Sequence, residues 1–411
     1  MTFREYDEKR DAEPVKRIWR EVGWLEKKEH EQALAAVIES SRTVVAEVNG
    51  IAECMVNSMK GSMRYLDHDV DVACIGGVTT SRIARKQGIA GRLVAHALAR
   101  EAADGIKVAL LGIFDQGYYN QLGFGNGAYE RWLTFDPADL AVDVRPRVPV
   151  RLGNDDWERI HRSRLCRTRS HGACSVCSPL MTKAEMLWSD NGFGLGYEDE
   201  HGEELTHHLW CTTKEVEHGP YNVSWMSYRS KEHLVELLAL VKSLGDQVHS
   251  VKLYEPGGIQ LQDLLVHPFK SRRITKQSGH ASRMTCAAYW QARLLDLSSA
   301  LADTRLATKE TVRFNLAIED PIERFLDDKS TWRGIGGDYI VSLGSSSQAE
   351  PGRDSALPTM TASAGAFTRM WLGVQPASGI AWTDALSAPP ALLAKLDRVL
   401  SLPTPRIDWD I

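Results

Sequence analysis

The sequence predicts a mixed α/β chain built of three units, and three observations carry that prediction. Its 411 residues exceed what one ordinary hydrophobic core organises. Strand-like and helix-like segments alternate, with antiparallel hairpins among the strands. Two breaks in periodicity, near residues 147 and 282, divide the chain into residues 1–147, 148–282 and 283–411.

In the first unit "MTFREYD" reads as a strand, "AEPVKRIWREVGWL" as an amphipathic helix, and "RTVVAEVNGIAECMVNSM" as two strands around the hairpin turn Asn49-Gly50. "VDVACIGGVTT" is a further strand, followed by the basic turn "ARKQGIAG", a helix, the strand "IKVALLGIF" and the segment "DQGYYNQLGFGNG". In the second unit "DDWERIHRSRLCRTRS" reads as helix and "FGLGYEDEHGEELTHHLWC" as a hairpin. Its glycines, Gly192, Gly194 and Gly196, have GxGxG spacing before a turn rather than a helix, which does not fit a dinucleotide site. In the third unit "RMTCAAYWQARLLDLSSAL" reads as helix, "ETVRFNLAIED" and "GGDYIVSLGSS" as strands, and "GAFTRMWLG" and "PALLAKLDRVL" as helices. The stretch "GSSSQAEPGRDSALPT" reads as a mobile loop.

Composition excludes several classes. A net charge of −5 runs against the basic excess of a nucleic-acid binder, so no nucleic-acid partner is expected. No apolar run approaches the roughly 20 residues that span a bilayer, and the polar start lacks a signal-peptide core, so no membrane contact and a cytoplasmic location are expected. The seven cysteines suit reduced thiols. Cys174 and Cys177 have metal-ligand spacing, with His171, Cys166 and Cys211 as conceivable further ligands, but no second pair follows and no metal is expected.

The turn before the first-unit helix carries the chemistry. Gly88 lets the backbone turn tightly and approach a ligand, the helix start presents unpaired N–H groups and a positive dipole end, and Arg85 and Lys86 add charge. These features make an anion site suited to a diphosphate, against the plainer reading of a solvated loop. The turn is not a nucleotide P-loop, since GxxxxGK[ST] is absent. Ile89, Leu93, Val94, Ala97 and Leu98 fall on one helix face, and Gly105 supplies the stop.

Strand, Arg-x-x-Gly-x-Ala, helix, strand and the aromatic "GYYNQLGFG" together resemble the acetyl-CoA-binding core of the GNAT N-acetyltransferase superfamily. With "GAFTRMWLG" and "PASGIAWTDAL" near the end, the whole chain resembles the Eis-type (enhanced intracellular survival) acetyltransferases. The resemblance implies two GNAT-like domains in tandem, then an α+β domain like sterol carrier proteins, and assembly as a homohexamer built from trimers. It implies acetyl-CoA as co-substrate, its pyrophosphate held by Arg85, Lys86, Gly88, Ile89, Ala90 and Gly91 and its pantetheine arm by Val78 and Thr80. It implies Tyr119 as general acid, with Tyr118 as competitor, and the carboxylate of Ile411 as base. The isoleucine departs from the aromatic ending frequent in that family, as Phe114 and Asp115 depart from its usual small polar residue.

The expected reaction is acetyl transfer to a primary amine of a small cationic molecule, such as an aminoglycoside, or to lysine side chains. Asp408 and Asp410 either give the pocket a negative field or keep an exposed end soluble. Trp24 lines the acceptor cleft or belongs to the core. The competing class is a binding protein, either an acetyl-CoA sensor without turnover or a holder of an apolar ligand.

Overall fold

The computed structural model describes residues 1–273 and 279–411. Along the first third run β1 (Thr2–Glu5), α1 (Glu8–Glu21), α2 (Lys28–Ser40), β2 (Arg42–Val48), β3 (Ile51–Tyr65), β4 (His68–Thr80), α3 (Ile89–Ala103), β5 (Val108–Gly112), β6 (Gly125–Asn126) and β7 (Glu130–Phe135). The predicted hairpin joins β2 to β3, with Asn49 and Gly50 both at positive φ (53° and 83°), as its tight turn demands. Helix α3 buries Ile89, Leu93, Val94, Ala97 and Leu98, and Gly105 follows it at φ +86°.

The middle third holds β8 (Val150–Leu152), α4 (Trp157–Leu165), β9 (Cys174–Val176), α5 (Pro179–Trp188), β10 (Phe193–Glu198), β11 (Leu205–Thr213), β12 (Tyr221–Ser227), α6 (Lys231–Ser243), β13 (Val251–Tyr254), β14 (Ser271–Arg273) and β15 (Gly279–Ala281). The last third holds β16 (Arg283–Ala287), β17 (Trp290–Leu294), α7 (Leu297–Asp303), β18 (Val312–Glu319), β19 (Gly337–Leu343), β20 (Gln348–Pro351), β21 (Thr359–Ser363), α8 (Ala364–Trp371), α9 (Ala377–Thr383), β22 (Leu386–Ser387) and α10 (Pro390–Val399).

Three mixed sheets organise these elements. The first has the order β1-β2-β3-β4-β5-β17-β6, with β9 also on β3; the second is β16-β7-β13-β12-β11-β10-β8; the third is β20-β19-β18-β21-β22. Parallel strands need a crossover, and the first two sheets use the same one: β4 reaches β5 through α3, and β12 reaches β13 through α6. The sheets do not follow the divisions at residues 147 and 282. β7 belongs to the second sheet, β9 and β17 to the first.

Two sequence expectations are corrected. "RMTCAAYWQARLLDLSSAL" is two strands, and only α7 within it is helical. β17 alternates: Trp290, Ala292 and Leu294 join one apolar core, while Gln291 and Arg293 point the other way. Both polar residues are fully buried, and Gln291 Oε1 is left without a protein partner. Arg293 pairs with Asp320 at 2.7 Å, and Gln291 donates to Asn120 Oδ1 at 3.1 Å. A strand slot between β5 and β6 overrides the local helix preference. The stretch read as a mobile loop contains β20, paired with β19 from Tyr339↔Pro351 to Ser342↔Gln348.

All seven cysteines are free thiols, and Cys174 sits on a buried strand rather than in a loop. Among the described residues no cluster of His, Cys, Asp and Glu is arranged to hold a metal. Among the same residues no helix is long and apolar enough to cross a membrane.

Candidate active site

The site begins where two strands part. β4 and β5 pair in parallel from Val72↔Val108 to Ile75↔Leu111 and no further, although β4 continues to Thr80. A bulge against β3 causes the divergence: Asn57 pairs with Gly76 and Met55 with Thr79, so Gly77 and Val78 oppose one residue, with Gly77 at φ 58°. Beyond the bulge the edge of Val78–Thr80 that faces away from β3 is unpaired with β5. Thr80 Oγ1 lies 3.2 Å from Cys54 Sγ. Beside the bulge Asn57 is fully buried, and neither its amide oxygen nor its nitrogen has a protein partner; nothing in the sequence marked it.

From Thr80 the chain enters the basic turn. Lys86 and Gly88 both take positive φ (60° and 72°), a curl that turns successive backbone N–H groups to one side. α3 starts at Ile89 without a side-chain cap, leaving its first-turn amides unclaimed by any side chain. A Cβ at Gly88 would meet nothing within 4 Å, so the concave side is open. Arg85 and Lys86 are exposed, and Arg85 Nε donates to Thr80 O at 3.3 Å, tying the turn to the end of β4.

Tyr119 opens a short 3-10 turn (Tyr119–Leu122) after β5, not a strand as its surroundings implied. It is 3 % exposed and packs edge-on against Tyr118 and Phe124. Burial, then the nearby Tyr118 and Cys54, push its phenol above the usual tyrosine value, so it stays protonated throughout neutral pH. Phe114, 74 % exposed, packs edge-on to Tyr119 from outside.

On the other side of β5 lies a cavity of about 1080 Å³ between the second sheet, the end of α5 and the C-terminal tail. Strand alternation builds its floor. Leu133 and Phe135 of β7, with Val251 and Leu253 of β13, enter the core below, so Glu130, Trp132, Lys252 and Tyr254 face the cavity. Trp188, Trp225, Tyr289 and Trp290 add aromatic wall.

The tail residues 407–411 form one edge of this cavity, and the tail is strapped in place from Arg406 onward. Arg406 N donates to His171 O at 2.8 Å. Asp408 takes a two-pronged contact from Arg167 (2.8 and 2.7 Å) and the Cys174 N–H at 3.1 Å. Trp409 is 3 % exposed, donates to Glu185 Oε1 at 2.8 Å, and lies 3.6 Å beneath the guanidinium of Arg164, which is itself bonded to Glu185. Asp408 is therefore neutralised by Arg167 and is not a free source of negative field. Asp410 differs. It is an exposed residue on the cavity lining, and the protein packed around its carboxyl raises it above the ordinary range, against the opposing pull of Arg164.

The two halves meet at Gly112, the last residue of β5 and a cavity residue. A Cβ there would lie 2.5 Å from a carboxylate oxygen of Ile411. Glu130, overlooked in the sequence, accepts the Tyr289 N–H at 3.0 Å, while Tyr289 O accepts from Ile113 N at 2.7 Å. Burial lifts the Glu130 carboxyl to about 7; the Tyr289 bond opposes this and Asp410 adds to it. The cavity lining includes Asp410 and Ile411 but not Tyr119 or Trp24. Trp24 is 44 % exposed and meets Trp19 edge-on at 5.1 Å; Trp19 in turn stacks on Trp188 of the cavity wall.

A divided strand pair, an open turn and an adjoining cavity rich in carboxyl and aromatic groups thus lie around the end of β5. Residues 3–127 match the family model described as acetyltransferase (GNAT) domain. Residues 3–127 thus form an acetyltransferase domain of the GNAT type. No curated protein matches it in sequence. Over its full length it is similar in structure to a probable N-acyltransferase from Enterococcus faecalis V583 (TM-score 0.79, 15 % identity, 100 % of this chain and 99 % of that one). It is similar to Eis1 from Mycobacterium abscessus (TM-score 0.74, 16 % identity, 100 % of both chains). A GCN5-related N-acetyltransferase from Kribbella flavida is also similar (TM-score 0.72, 18 % identity, 100 % of this chain and 98 % of that one). The whole-chain fold is therefore one that it shares with these proteins.

Proposed function

We propose that the protein transfers the acetyl group of acetyl-CoA to a primary amine of a small cationic acceptor, aminoglycoside-like, or to a lysine side chain. The observation that carries this reading is the meeting at Gly112 of the β4–β5 gap, the acidic cavity and Ile411. The pyrophosphate would rest on the turn of Arg85, Lys86 and Gly88 and on the amides of Ile89, Ala90 and Gly91, and the pantetheine arm would bond the free edge of Val78 and Thr80. That places the thioester at the end of β5, between the two halves of the site.

Each residue then has a task. Asp410 and the aromatic walls attract and orient a cation. Tyr119, held protonated, gives its proton to the departing thiolate. The Ile411 carboxylate accepts the proton that the nitrogen sheds as the amide forms. Trp24 supports the acceptor wall through Trp19 and Trp188. The units 148–282 and 283–411, the latter sterol-carrier-like, serve as scaffold for the tail; a hexameric assembly in the cytoplasm completes the reading, and Trp382, 90 % exposed, is an aromatic such an assembly would cover.

Two variants test it. A Gly112→Ala Cβ would displace the Ile411 carboxylate, and deleting Ile411 moves the chain-terminal carboxylate back to Asp410. In steady-state assays with acetyl-CoA and an amine acceptor, both are expected to lose turnover by about 10²-fold or more while still binding acetyl-CoA. Full turnover in both would remove the tail from the mechanism.

A further inference from the structure

The transfer strips two protons from an acceptor ammonium, and the site as described so far receives only one. The first must leave before the nitrogen lone pair can attack, and an ammonium gives it up readily only to a base whose pKa lies near the working pH. A chain-terminal carboxylate is by nature too weak for this, with an ordinary pKa of about 3.3–3.7.

Glu130 stands at the required place. It opens β7 on the cavity face, and the backbone of one residue, Tyr289, links its carboxylate through N–H and C=O to Ile113 just beyond Gly112. Its partner across the strand pair is Ala287, which brings no charge. The groups that face it are Asp410 and Ile411 from the tail, Tyr254 from β13, Thr285 from β16, and Tyr289 and Trp290 at the entry to β17. Of the nearby cations, Arg131 and Arg406 are both engaged by Glu255, and Lys252, on the same cavity floor, holds its ammonium 4.5 Å from the Trp132 ring centre. Among the described residues none is bonded to Glu130.

Resting on the acetyltransferase reading above, we propose that Glu130 is the general base that takes the first proton from the acceptor's ammonium. The free amine then forms the C–N bond at the thioester carbonyl. As the C–S bond breaks, Tyr119 protonates the thiolate, and the nitrogen's second proton passes to Ile411 and restores Tyr119. Glu130 returns its proton to solvent, so one proton is released per turnover. The enclosure that lifts its carboxyl to about 7 gives it the strength the step needs.

The test is the pH dependence of turnover in the wild type and in Glu130→Gln, with two primary amines of high and low basicity. Wild-type kcat/KM should rise through a single limb near pH 7. Glu130→Gln should lose about 10²-fold with the strongly basic amine at pH 7, lose that limb, and recover as pH nears the amine's own pKa. It should turn over the weakly basic amine, already neutral at pH 7, almost normally. Glu130→Asp should fall between. An unchanged limb, or equal losses with both amines, would overturn the proposal; absence of turnover by the wild type would overturn the acetyltransferase reading itself. Unfolding checks the variant's integrity. With a folded pKa above the ordinary carboxylate value, stability from this group is present below about pH 4.5 and lost as pH rises through 7. Glu130→Gln should therefore melt higher than wild type at pH 8 and not at pH 4; a variant that melts lower at both has lost structure, and its activity loss would then count against the proposal.

Discussion

Tyr119→Phe is expected to lower kcat by about 10²- to 10⁴-fold, with acetyl-CoA affinity and melting temperature nearly unchanged. The substitution keeps the ring, and with it the edge-on contacts to Tyr118 and Phe124 that hold the turn after β5. It removes only the proton that the leaving thiolate requires. Tyr118→Phe is the control: its ring lies in the same cluster, and its loss of hydroxyl should leave kcat within a few-fold of wild type. Stopped-flow measurement of thiol release separates the chemical step from product release in both variants. Equal rates for Tyr119→Phe and wild type would remove the proposed acid.

Asp408→Ala is expected to lower stability by about 3–5 kcal/mol and to abolish turnover in the fraction that folds. Arg167 is almost wholly buried, and Asp408 is its carboxylate partner through two short contacts. Truncation leaves a guanidinium charge inside the protein with carbonyl and hydroxyl partners only. The same change frees the tail, because Asp408 also accepts the Cys174 N–H, and so loosens the placement of Asp410 and Ile411. Chemical denaturation read by tryptophan fluorescence measures the first effect, and amide exchange at residues 406–411 the second. The double change Arg167→Met with Asp408→Leu removes both charges together and should recover much of the stability. It should not recover activity.

What could be read from the sequence was local. The anion turn rests on one glycine, two cations and a helix start within a few residues, and the structure places them together with Gly88 at positive φ. The Asn49-Gly50 hairpin and the apolar stripe of α3 were legible for the same reason. What failed depends on partners far along the chain. β17 alternates apolar with polar from Trp290 to Leu294, but the run is short and merges with the helical segment that follows it, and Gln291 and Arg293 are tolerated inside only because Asn120 and Asp320 receive them. Nothing near "PRIDWDI" foretells that Arg164, Arg167 and Glu185 will bind the tail. Glu130 reads as an ordinary surface carboxylate until Asp410 and the aromatic walls are brought around it by two sheets that exchange strands.

The most direct measurement is thiol release from acetyl-CoA by the purified full-length protein, with and without primary amines covering aminoglycosides, polyamines and lysine peptides, alongside calorimetric binding of acetyl-CoA. The expected result is binding in both conditions, with release of one thiol per acetylated amine only when an acceptor is present. Tight binding with no acceptor-dependent release across all three classes would contradict the enzyme reading and leave an acetyl-CoA sensor.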